Sequence, residues 1–114
     1  MRTLIRYQPV GVAINVPTCF EFYKSGVLRE QDCPCATAPK FKRHAATLVG
    51  YSTDNKSVPG CDGWWILKNS YGPKWGEDGY IRLCNPIDAP ENSLGTCNVL
   101  QLAMIPNVGL IPEV

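Results

Sequence analysis

Apolar and polar positions alternate with a period of two in several stretches of this chain. Val10, Val12 and Ile14 are separated by smaller or polar residues, which predicts a half-buried strand. Arg2 and Arg6 precede that stretch and lend it a likeness to a signal peptide. Gln8 and Asn15 interrupt the apolar run, so Pro9–Asn15 makes a better strand than a signal core. Thr18–Tyr23 suits one helical turn, ended by Lys24-Ser25-Gly26. Residues 29–43, with two cysteines, two prolines and mixed charge, read as an irregular loop. His44–Tyr51 is a second strand and Ser52–Gly63 a long turn rich in Gly, Asn, Asp and Ser. Trp64–Asn69 and Gly79–Leu83 read as strands facing each other across the turn-rich 70–78 connection. A loop at 85–96 then leads to a last strand, Val99–Ile105. With no repeat, low-complexity tract or linker, residues 1–114 are expected to form one domain, mainly β with short helical turns (α+β at most) and mostly antiparallel.

Composition narrows the setting more than the function. The chain has 114 residues and a formal net charge of +1, which gives no electrostatic reason to expect nucleic acid or an anionic membrane as partner. No apolar run approaches the ~20 residues of a membrane-spanning helix. Six cysteines in so short a chain read as a disulfide framework, and so as an oxidising setting, lysosomal/vacuolar or extracellular. Cys61 and Cys84 flank the two strands expected to face each other, which makes them plausible partners. Asn55-Lys56-Ser57 is an N-glycosylation sequon in a polar loop, in keeping with a secretory route; any targeting segment would then belong to a longer precursor. Cys33-Pro34-Cys35 with His44 offers only three metal ligands, short of a zinc site. Neither a metal nor another cofactor is expected.

His44 is the only histidine, and it opens a predicted strand; Asn69 closes a neighbouring one. A histidine base held by an amide oxygen is the arrangement that activates a thiol, because the pairing lowers the thiol pKa while an amide orients the ring without adding charge. Trp75 and Tyr71 are placed to shield such a hydrogen bond from water.

The wording of these segments carries more than their chemistry does. His44-Ala-Ala-Thr-Leu-Val-Gly-Tyr51, Trp65-Ile-Leu-Lys-Asn-Ser-Tyr-Gly72 and Trp75-Gly-Glu-Asp-Gly-Tyr80 together resemble the second half of a papain-family, cathepsin L-like cysteine peptidase. The resemblance runs from about Gln8 to Leu102. It implies the right domain of that fold, an antiparallel, barrel-like sheet, with His44 as catalytic base and Asn69 as its orienting partner. It places Gln8-Pro9-Val10-Gly11-Val12-Ala13-Ile14 along the substrate cleft. Ala13, Ala45 and Leu102 correspond to walls and floor of the pocket for the second substrate residue upstream of the cut. It also implies that Cys33 or Cys35 pairs with Cys97, leaving the other for Cys19. Three positions depart from the family's usual pattern. Arg43 precedes the histidine where an Asp or Asn is usual, a cation that would weaken the base if the side chains were close. Tyr71 stands in place of Trp, and Asn98 in place of Gly.

The family's nucleophile lies in a Cys-Gly-Ser/Ala-Cys-Trp/Tyr setting ~130–150 residues before the histidine, and no such motif is present in this sequence. The oxyanion-hole glutamine belongs to the same left half. The expectation is therefore the His/Asn-bearing half of a cysteine endopeptidase, inactive without a left-domain chain that carries the nucleophilic Cys, and cleaving peptide substrates once complemented. The alternative is a non-catalytic structural or interaction module whose exposed cleft wall another protein covers.

Overall fold

A computed structural model describes residues 9–34, 42–87, 95–100 and 103–104. Its core is one six-stranded sheet: β1 (Val10–Val16), β2 (Val27–Leu28), β3 (Lys42–Ser52), β4 (Cys61–Lys68), β5 (Tyr80–Pro86) and β6 (Ala103–Met104). The spatial order is β2-β5-β4-β3-β1-β6. All neighbours are antiparallel except β2 and β5, which run parallel. Two short 3₁₀ turns, Thr18–Phe22 and Thr96–Asn98, complete the described secondary structure. The mainly β class expected from the alternating pattern is the observed one.

The period-two strands bury one face. Val10, Val12 and Ile14 from β1 are fully buried, with Leu48 from β3, Leu67 from β4 and Ile81 and Leu83 from β5. Phe20, Trp75 and Val99 close the same core from outside the sheet. The chain's route fixes where a site can form. β1 lies near one edge of the sheet and β2 at the other, so residues 17–26 must cross one end of the sheet between them. That end is also where β3 begins, β4 stops and β5 begins.

Several boundaries differ from those the sequence suggests. β4 begins at Cys61, inside the expected turn, because a register shift between Cys61 and Trp64 lets the strand continue through Gly63. β5 extends to Pro86, two residues into the expected loop at 85–96. Val27 and Leu28, not foreseen as a strand, pair with Arg82 and Leu83. The expected last strand over Val99–Ile105 is corrected most: Val99 and Leu100 lie in a turn, where the Val99 N–H donates to Thr96 O at 3.1 Å. Val99 is buried from that turn, so its apolar character reflects core contact without strand geometry. Among the described residues of that span, Ala103–Met104 pairs with Gly11 and Val12.

Two disulfides join described residues. Cys19–Cys33 ties the first 3₁₀ turn to the segment after β2, and Cys61–Cys84 bridges the adjacent strands β4 and β5 as expected. Cys97 is also disulfide-bonded. Cys33 is joined to Cys19 and so is not the partner of Cys97; the other partner expected for Cys97, Cys35, lies outside the described residues. Peptide mapping without reductant is expected to recover Cys19–Cys33 and Cys61–Cys84. Replacing Cys61 and Cys84 together by serine should lower stability by about 3 kcal/mol, the chain-entropy value for a loop of 23 residues, read from urea unfolding.

Candidate active site

His44 is the third residue of β3 and stands opposite Ile14 in the β1 register. Directly paired residues share a face of the sheet, so the imidazole belongs to the core face. It sits where that face runs out under the 17–26 crossing, and there it is only half-buried. Asn69 follows the last residue of β4, and its backbone N–H donates to Gly79 O at 3.0 Å. The two side chains meet, with His44 Nε2 2.6 Å from Asn69 Oδ1. The same oxygen accepts the Ser70 N–H at 2.7 Å, a bond the amide nitrogen cannot make. The amide orientation is thereby set, and Nε2 must carry the proton it donates. In the neutral ring the lone pair then lies on Nδ1, the nitrogen left to take a proton from elsewhere. Asn69 is 8% exposed, and its Nδ2 finds no acceptor among the described residues. Its oxygen holds it in place.

The ring against the imidazole is Tyr71, at 5.4 Å between centroids and 35° between planes. Trp75 reaches the pair through Tyr71, packed edge-on at 5.2 Å, and is itself set by Phe20 and Tyr23, each 5.4 Å away. The indole N–H donates to Phe20 O at 3.3 Å. Trp75 is buried while Tyr71 stays 41% exposed. The smaller aromatic at position 71 therefore presents its outer face to solvent, and burial raises its phenol pKa.

A polar brace behind these rings has no counterpart in the sequence expectations. Glu77 accepts from Arg82 Nε at 2.8 Å and Nη2 at 2.9 Å, and from the Gly26 N–H at 3.3 Å. The Tyr23 hydroxyl lies 2.5 Å from Gly26 O and 3.2 Å from Glu77 Oε1, sharing its single proton between them. Burial pushes the Tyr23 pKa up to about 12, so the phenol remains a donor. The Arg82 guanidinium also stacks over Trp64 at 5.3 Å. Opposite charges at 77 and 82 flanking the Asp78-Gly79 turn were the available signal. The Arg82 bonds hold the Glu77 carboxyl below its ordinary value of 4.5. A depressed folded-state pKa means that the brace stabilises fully above the ordinary value and fails as pH falls through the lower one. Glu77→Gln is expected to cost about 1–2 kcal/mol, the lower part of the range for charged hydrogen bonds because the pair is partly exposed. It should also flatten the loss of thermal stability below about pH 4, checked by melting curves across pH.

Ala13 and Ala45 pair directly across β1 and β3, on the face opposite His44. Leu102, the third expected pocket residue, lies outside the described residues, as does the side chain of Asn98. Arg43 does not lie against the imidazole side: neighbouring residues on a strand point to opposite faces, and its Nη1 donates to the buried Asn15 Oδ1 at 2.9 Å. Asn55 is exposed in the β3–β4 connection. Cys19, Cys33, Cys61, Cys84 and Cys97 are all disulfide-bonded, so none of the described cysteines is a thiol near His44.

Residues 1–107 match the family described as Papain family cysteine protease. The chain belongs to that family. Among similar proteins, a cathepsin L-like proteinase of Fasciola hepatica is 37% identical over 105 residues, covering 92% of this chain and 28% of the relative. Human cathepsin L2 is 30% identical over 109 residues, covering 95% of this chain and 29% of its own length. The bromelain protease of Ananas comosus, solved with the inhibitor E64, superposes with a TM-score of 0.65 at 33% identity, over 88% of this chain and 40% of that one. This papain-family chain thus spans between a quarter and a third of these two curated relatives. Its disulfides, like the family, fit an oxidising compartment.

Proposed function

We propose that this segment supplies the base and its orienting amide to a papain-like cysteine endopeptidase whose nucleophilic thiol comes from a left-hand half. The observation that carries the reading is the 2.6 Å contact between His44 and Asn69, with Ser70 fixing the amide and Nδ1 left as the proton acceptor. In the proposed reaction Nδ1 takes the thiol proton, the thiolate attacks the scissile carbonyl, and the imidazolium returns the proton to the leaving amine. Tyr71, backed by Trp75, keeps water from the His44–Asn69 bond. The face carrying Ala13 and Ala45, with Leu102, would form a pocket favouring an apolar side chain at the second residue upstream of the cut. The setting is lysosomal/vacuolar or extracellular.

Complementation tests this reading. The purified segment alone is expected to cleave no peptide, because all of its described cysteines are in disulfides. Adding a papain-family left-hand domain with an intact Cys-Gly-Ser/Ala-Cys-Trp/Tyr motif should produce thiol-dependent turnover, fastest on substrates apolar at that upstream position. Cleavage by the segment alone would place the nucleophile among its own cysteines. A tight complex without turnover would favour a purely structural partnership.

A further inference from the structure

The β3–β4 connection carries a motif that peptide hydrolysis leaves unused. Asn55-Lys56-Ser57 is the one Asn-x-Ser/Thr triplet in the chain. It lies at the closed end of the hairpin, between Ser52 and Cys61, whereas His44 and Asn69 occupy the open end. The eight residues of β4 separate the two, roughly 25 Å at the rise of a strand. Asn55, Lys56 and Ser57 are all exposed, so a bulky substituent there meets solvent and leaves the His44 end open.

We propose that Asn55 carries an N-linked glycan, attached before the β3–β4 hairpin closes. The timing follows from how the folded loop uses the sequon. Asp54 Oδ1 accepts the N–H groups of Lys56 at 2.8 Å and Ser57 at 3.0 Å, and the Ser57 hydroxyl donates to Asp54 Oδ2. Ser52 Oγ accepts the Asp54 N–H at 3.1 Å. The hydroxyl that makes Asn55 a sequon is therefore committed to the neighbouring carboxylate, inside a tight turn. Four residues later Cys61 is bonded to Cys84 and locks the hairpin to β5. A transferase must engage the Asn55 amide and the Ser57 hydroxyl together, which the open chain allows and the closed turn resists.

The transfer needs a sugar donor of the polyprenyl-pyrophosphate oligosaccharide class. Asn55 Nδ2 attacks C1 of the sugar, the C1–O bond to pyrophosphate breaks as the C1–N bond forms, Nδ2 gives one proton to a base of the transferase, and the lipid pyrophosphate leaves. The protein directed into the secretory pathway of a eukaryotic host by a cleavable signal peptide should run heavier than its Asn55→Gln variant. Peptide N-glycosidase should erase the difference and convert Asn55 to aspartate. Secreted wild-type protein with Asn55 wholly unmodified would overturn the site. For the timing, purified oligosaccharyltransferase with a lipid-linked oligosaccharide is offered the same unglycosylated protein, once folded and once reduced and unfolded. Modification severalfold faster in the unfolded chain is expected, and Asp54→Ala should narrow the gap by freeing the Ser57 hydroxyl. Equal rates for folded and unfolded wild-type protein would overturn the order of events.

Discussion

Replacing His44 with alanine in the complemented peptidase is expected to lower kcat by on the order of 10⁶, the loss seen when the base of a comparable triad is removed. The size follows from what the imidazole does twice. In the proposed reaction it takes the thiol proton before attack and returns it to the leaving amine, and no other described histidine or free thiol stands near that end of the sheet. A second readout separates loss of the base from damage to the fold. A thiol with an ordinary pKa is only a few per cent thiolate at neutral pH, so alkylation of the partner's cysteine at pH 7 should slow in proportion once the imidazolium is gone. Asn69→Ala should be milder, on the order of 10² in kcat, because the ring remains but loses the contact that orients it. It also frees the Ser70 N–H that shares Asn69 Oδ1, so some of that loss is local loosening. If His44→Ala kept more than a trace of turnover while the alkylation rate stayed unchanged, the base would have to be another group.

The His44–Asn69 pair was legible in the sequence because the wording around both residues resembles the papain family and because each sits near the end of a well-patterned strand, the two strands being neighbours. The main strands were legible for the second reason, their buried positions falling every second residue. What escaped the pattern shares one physical cause, reliance on partners distant in the chain. Val27–Leu28 is two residues long, too short for alternation to register, and only its pairing to β5 makes it a strand; Ala103–Met104, equally short, falls inside the strand expected at 99–105. Glu77 draws together Gly26, Tyr23 and Arg82, and the first two lie about fifty residues earlier, |i−j| being 51 and 54. Val99 shows the converse, an apolar residue buried from a turn. The cation at Arg43, suspect by adjacency to His44, is held by Asn15 across the strand pair. Adjacency in sequence is separation in a strand.

Gly63→Ala is the substitution expected to damage the fold most. Gly63 lies within β4 at the register shift between Cys61 and Trp64, with φ at +81°. A side chain is penalised twice there. The left-handed backbone region costs a non-glycine residue about 1–2 kcal/mol. Beyond that, a Cβ would fall 1.9 Å from Ser52 O and 2.8 Å from Ser52 C, backbone atoms of the paired strand β3. No rotamer relieves a clash between a Cβ and a carbonyl. The hairpin must open at that end, or the bulge must shift and carry Trp64 and Trp65 out of register. The combined loss is expected to reach on the order of 4 kcal/mol, within the range reserved for substitutions with a specific steric cause. Gly60→Ala supplies the control. Gly60 has nearly the same backbone angle, φ +82°, yet a Cβ there meets nothing within 4 Å, so only the backbone cost of about 1–2 kcal/mol should appear. Urea unfolding of the two variants separates the terms, because their difference measures the close approach of β3 and β4 alone. Equal losses at 60 and 63 would mean that β4 does not pass Ser52 as closely as the structure places it.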